Sequence, residues 1–121
     1  MEMEQKRKKR TDTLWILCSK CIRAKGYCEI CGRSGLQLHA HHGVVHRRYV
    51  NTRYEEDNLI CVCVSCHNEL HDFTDLNVEV FRKRIGRDRM EQLSILARSG
   101  KKVDKEAIKQ SLKEKIKLLG E

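Results

Sequence analysis

Apolar positions recur along this chain with two periods, and the period changes where the histidines begin. Leu14, Leu17, Cys18, Cys21 and Ile22 fall at i, i+3, i+4, i+7 and i+8, the stripe of an amphipathic helix from about Asp12 to Lys25 that Gly26 ends. From Gln37 to Arg48 the pattern alternates instead, predicting a strand, a turn near Gly43 and a second strand centred on the β-branched Val44 and Val45. Asp57 and Asn58 can close a turn, and Leu59 to Val62 is a short apolar piece. A helix from Ser65 to about Phe73 would set His67 and His71 on one face, one turn apart. Beyond Asp72, Asn77 can cap a short helix to about Ile85 and Gly86 interrupts it. Asp88 to Arg98 continues with Met90, Leu93, Ile95 and Leu96 apolar. Asp104 opens a last helix carrying Ile108, Leu112, Ile116 and Leu119 among lysines, a stripe expected to pack on the domain or against a second copy of the chain rather than stay exposed. The mixture predicts a small α+β protein.

Composition decides how such a protein could hold together. At 121 residues, 5% aromatic and 35% charged, the core must be modest and benefits from a staple. Seven cysteines could supply it as disulfides or as a thiolate metal site. No apolar run is long enough for a signal peptide or membrane span, which points to a reducing cytoplasm and so to metal. The basic excess, a net charge of +8, persists in reduced form when four thiolates are loaded with zinc, and it favours a polyanionic partner, most simply nucleic acid, and no membrane. The run Lys6 to Arg10 (KRKKR) is either a solvated terminus or an arm lying along phosphates.

The cysteines divide by position. Cys18 and Cys21 lie on the apolar stripe and read as small core residues. Cys28 and Cys31 lie in the glycine-punctuated turn CEICGRSG, where backbone amides can point at sulfur as zinc knuckles require. Their partner is a second knuckle, Cys63 and Cys66 in CVCVSC, with Cys61 competing for the place of Cys63. The 31 residues between Cys31 and Cys63 exceed what a simple zinc ribbon places there, and they carry most of the histidines.

Six histidines fall between Leu38 and His71. A divalent metal held by His41 and His67, with His71 as a third candidate, would sit between a strand and a facing helix. His42, next to His41 on an extended segment, should project away from the ligand face and remain a free imidazole with a pKa near neutrality, able to take a proton from water. Metal and base side by side suit phosphodiester hydrolysis. Imidazole ligands favour Mn²⁺, Ni²⁺, Co²⁺ or Zn²⁺ at least as well as Mg²⁺. His39 and His46 have no partner pattern and read as surface or phosphate-facing residues. Arg47, Arg48 and Arg53 flank the site as candidate phosphate contacts, with salt bridges to Glu55, Glu56 and Asp57 as the alternative.

At these residues the chain resembles the HNH, or ββα-metal, endonuclease family, over roughly Cys28 to Phe73. The resemblance implies that His41 binds the catalytic metal and His42 is the general base. It further implies that Asn58 orients the loop through backbone hydrogen bonds, that His67 is the other metal ligand, and that His71 joins the metal or touches phosphate. Four-cysteine members hold a structural zinc, which fits Cys28, Cys31, Cys63 and Cys66. The implied organisation is a basic arm and N-terminal helix (1–26), a zinc-stapled ββα-metal core (27–74) and a basic helical extension (75–121). The implied activity is metal-dependent hydrolysis of DNA leaving 5′-phosphate and 3′-hydroxyl ends. The segments TRYEEDN and IGRDRMEQL are similar to phage recombination nucleases of the Rap type, which act on branched or D-loop DNA; the chain departs from them in having His67 where they tend to carry Asn, and in carrying His71. RNA is a substrate that neither charge nor motif separates from DNA. A non-catalytic zinc module that binds nucleic acid is the rival from another class, and the last helix makes a homodimer a candidate assembly.

Overall fold

The computed structural model describes residues 12–120, so the Lys6 to Arg10 run lies outside the described residues. In order, the elements are α1 (Thr13–Arg23), β1 (Leu38–His42), α2 (Val50–Arg53), a 3₁₀ turn (Glu56–Asn58), β2 (Leu59–Cys63), α3 (Val64–Asp72), α4 (Thr74–Ile85), α5 (Arg87–Arg98) and α6 (Lys105–Gly120). The fold is α+β, and among the described residues it has one sheet, of two antiparallel strands. Among the described residues no helix is long and apolar enough to cross a membrane.

The first helix forms where its stripe predicts. Asp12 caps it by accepting the Trp15 N–H at 3.0 Å, and Leu14, Cys18 and Ile22 are its buried residues. The sheet is not built as the alternation suggested. β1 pairs with β2, in the register His39 opposite Val62, Ala40 opposite Cys61 and His41 opposite Ile60, and Val44 and Val45 form no strand. The reason is Asn58, whose side chain takes up the backbone groups a partner strand would have used. Its Oδ1 accepts from Val44 N at 2.9 Å and Val45 N at 2.8 Å, while its Nδ2 donates to the Val45 carbonyl at 2.9 Å.

Alternation along β2 sends residues to two layers. Ile60 and Val62 join Leu70 and Phe81 under α3 and α4; Leu59 and Cys61 join Cys18, Ile22 and Leu112 under α1 and α6. Paired residues of antiparallel strands share a face, so His39 and His41 look toward α3 while His42 looks toward α1. A third small cluster, Val45, Leu93 and Ala97, ties α5 to the loop after β1. The stripe of α6 packs in part: Leu112 is buried against α1 and Ile108 is half-buried beside it, but Leu119 remains 57% exposed and its neighbour Leu118 83%. Asn77 does not cap α4, which starts three residues earlier; it lies one turn in, and its side chain is turned to the histidines.

Candidate functional site

Two groups of metal-ligating side chains come together, and α3 contributes Cys66 to one and His67 and His71 to the other. In the first, Cys28, Cys31, Cys63 and Cys66 bring their sulfurs within 4.8 Å of one another, with Cys31 and Cys63 Sγ 3.9 Å apart. Tetrahedral thiolates on zinc at about 2.3 Å lie roughly 3.8 Å apart, so the donor set fits a structural zinc. The first knuckle is shaped by its own backbone: Gly32 N–H donates to the Cys28 carbonyl at 2.8 Å and Cys31 N–H reaches Cys28 Sγ at 3.5 Å. Arg33 donates to Cys31 Sγ at 3.3 Å and holds that thiol down to about 6, whereas burial pushes the Cys66 thiol up. Four thiolates in one pocket need a cation beside them, and Cys66 is where that need is greatest.

Cys63 rather than Cys61 belongs to this group. Cys61 is wholly buried in the layer under α1 and α6, while Cys63, the last residue of β2, turns with the chain as it enters α3 and joins the opposite layer. Cys18 is likewise a core residue; burial pushes its thiol up to about 12. Cys21 packs half-buried against the same cluster.

In the second group His41, His67 and His71 each offer a ring nitrogen, all within 4.8 Å of one another. The strand supplies His41, which is 5% exposed, and α3 supplies the others one turn apart. His67 is the hub: its ring centroid lies 5.0 Å from that of His41 and 4.8 Å from that of His71. Burial, and then the neighbouring imidazoles, push His67 down to about 4, so it is neutral and able to donate a lone pair to a metal.

His42 stands apart on the other face of β1. Its ring stacks on Trp15, centroids 4.7 Å apart, and Nε2 lies 3.0 Å from the Arg53 carbonyl. A carbonyl only accepts, so Nε2 carries the proton and Nδ1 keeps its lone pair. Its pKa does not stay near neutrality as expected: burial pushes this imidazole down to about 4, despite the carbonyl's opposing effect. The ring is half-buried, not enclosed. Asn58 is wholly buried and ties Gly43, Val44, Val45 and Thr52 together: its own carbonyl accepts the Gly43 N–H at 3.0 Å.

Residues 28–73 match the sequence model of the family described as HNH endonuclease. This segment is an HNH endonuclease domain. Comparison with curated proteins and with solved structures found no match.

The HNH domain carries basic residues of two kinds. Arg47 and Arg48 are exposed; Arg47 lines a groove of about 660 Å³ together with Trp15, His39 and His67, and Arg48 lies over the Tyr49 ring at 4.9 Å. Arg53 is turned inward. It pairs with Asp12 at 3.1 Å and donates to the Arg47 carbonyl at 2.7 Å, so its guanidinium braces the residue whose own carbonyl holds His42. The three acidic residues nearby take other partners: Glu55 and Asp57 pair with Arg89, and Glu56 with Lys115.

Two polar residues at the HNH site escape the sequence reading. His39 Nδ1 lies 2.7 Å from His67 Nδ1, and strand periodicity, which puts 39 and 41 on one face, was the signal for it. Asn77 lies 2.9 Å from His41 Nε2 and also donates to the Gly43 carbonyl at 2.7 Å. No local pattern announces it.

Proposed function

We propose that this chain hydrolyses phosphodiester bonds of DNA, with a divalent metal held by His41, His67 and His71 and with His42 as the general base. The observation that carries the reading is the division of labour among imidazoles. Three converge to within 4.8 Å, while a fourth, on the opposite face of the same strand, is neutral and held by one nitrogen only. A divalent ion bound by the three would polarise the phosphoryl oxygen and stabilise the leaving oxygen. His42 Nδ1 takes the proton of the attacking water; the Arg53 carbonyl fixes the tautomer that leaves Nδ1 free and stabilises the imidazolium as it forms. Trp15 limits where the ring can swing. Asn58 keeps the loop after His42 in the shape that presents Arg47 and Arg48 outward, where they contact phosphates on either side of the scissile bond. The zinc knuckles hold β2 and α3 in register so that His67 and His71 meet His41.

The products are 5′-phosphate and 3′-hydroxyl ends. The imidazole donor set suits Mn²⁺, Ni²⁺, Co²⁺ or Zn²⁺ as well as Mg²⁺. The two segments similar to Rap-type phage nucleases extend the reading to branched DNA in recombination. Nicking of supercoiled plasmid by zinc-replete protein, with Mn²⁺, Mg²⁺ or EDTA, tests the reading. Open circles appearing with either ion and vanishing with EDTA are expected. Tight DNA binding with no nick under any divalent ion would instead establish a non-catalytic nucleic-acid-binding zinc module.

A further inference from the structure

The amide of Asn77 can be oriented by elimination. It touches two groups, the Gly43 carbonyl at 2.7 Å and His41 Nε2 at 2.9 Å. The carbonyl accepts and cannot donate, so the amide nitrogen faces Gly43 and the amide oxygen faces His41. That oxygen can only accept, so His41 Nε2 carries a proton. Its lone pair is then on Nδ1. A histidine ligates metal through the nitrogen without a proton, and the partner of the other nitrogen decides which that is.

The amide cannot easily adopt another orientation, because its anchor is itself fixed. Gly43 N–H is held by the Asn58 carbonyl at 3.0 Å, and the Phe81 ring packs so closely that a Cβ on Gly43 would meet it at 1.8 Å. Phe81 and Asn77 both belong to α4, one turn apart. The helix that follows the HNH domain therefore presses Gly43 into place with one side chain and grips both Gly43 and His41 with another. Asn77 lies outside residues 28–73, so this grip is an addition to the domain made by the C-terminal extension.

We infer that Asn77 is a positioning residue for the metal site: it locks His41 in the Nε2–H tautomer, so that His41 ligates through Nδ1. The other side of the site obeys the same logic. His67 Nδ1 is occupied by His39 Nδ1 at 2.7 Å, leaving His67 Nε2, which lies 3.2 Å from His71 Nε2. The ligating atoms are then His41 Nδ1, His67 Nε2 and His71 Nε2. This assignment rests on the proposed metal site but not on nuclease activity.

The test uses the full chain with its structural zinc in place and ¹⁵N-labelled histidines. Two-bond ¹H–¹⁵N correlation spectra read the tautomer of His41, and calorimetric titration with Ni²⁺ or Co²⁺ reads the second site. Wild type is expected to show His41 protonated at Nε2, with Nδ1 shifting on metal addition. Asn77→Leu removes both hydrogen bonds; His41 is expected to become a mixture of tautomers and metal affinity to fall roughly 10- to 100-fold. Asn77→Asp keeps an acceptor for His41 but loses the donor to Gly43, so it should lower the melting temperature yet restore the tautomer and most of the affinity. A purely structural Asn77 would instead cost both variants the same affinity. That outcome overturns the inference, as does metal-bound Nε2 on His41, an unchanged tautomer in Asn77→Leu, or no ion beyond the zinc. If binding behaves as expected and plasmid is never nicked, the nuclease reading fails and the role of Asn77 stands.

Discussion

Gly43 and Asn58 set the geometry of the site at the residue scale. Gly43 follows the paired histidines and must admit the Phe81 ring where any other residue would place a Cβ. Gly43→Ala should therefore overpack the junction of β1 with α4, costing roughly 1 to 3 kcal/mol in a urea unfolding curve, and should reduce divalent-metal affinity through His41. An unchanged midpoint would mean that Phe81 moves aside freely. The convergence of His41, His67 and His71 and the tie of Asn58 to the loop after His42 were legible in position, because paired histidines, an Asn before an apolar strand and an i, i+4 pair constrain one another. The roles of His39 and Asn77 were not read for different reasons. His39 needed only its strand's alternation to be applied consistently. Asn77 is brought to the site by α4 folding back, a contact 36 positions long that leaves no trace in local pattern.

At the scale of elements, helices that bury an apolar stripe were readable: α1 and the start of α6 follow it closely, α3 lies where a helix was expected, and the short apolar piece from Leu59 to Val62 proves to be β2. Alternation at Val44 and Val45 predicts a second strand that does not form, because it reports only side-chain burial, partial for Val44 and full for Val45, and not where their backbone groups find partners. Those groups bond to Asn58 across 13 or 14 positions, which only the folded chain reveals. The knuckles make the sharpest prediction at this scale, because seven cysteines divide into four that share a pocket and three that do not. Cys28→Ala and Cys66→Ala should each lose the one tightly bound zinc, measured by atomic absorption, and with it the dispersion of the β1 and β2 amide resonances. Cys18→Ala and Cys61→Ala should keep the zinc and lose only packing energy. Zinc retained by Cys66→Ala would contradict the assignment.

Over the whole molecule, the basic excess and the site have to meet. Arg47 lines the same groove as His39 and His67, and Arg48 is its exposed neighbour, so both are expected to lie against the backbone of bound DNA. Replacing both by Gln should weaken binding to unrelated sequences alike and reduce the slope of log affinity against log salt by about 0.9 per lost phosphate contact. Arg53→Gln, by contrast, should act on the loop that orients His42, lowering cleavage more than binding, because its guanidinium is paired with Asp12. The role of His42 as general base is decided by single-turnover nicking of supercoiled plasmid by His42→Ala at saturating Mn²⁺, with metal and DNA binding measured on the same protein. Unchanged binding with a rate reduced roughly 100- to 10,000-fold is expected for the loss of a general base. A His42→Ala protein that nicks at the wild-type rate would contradict it.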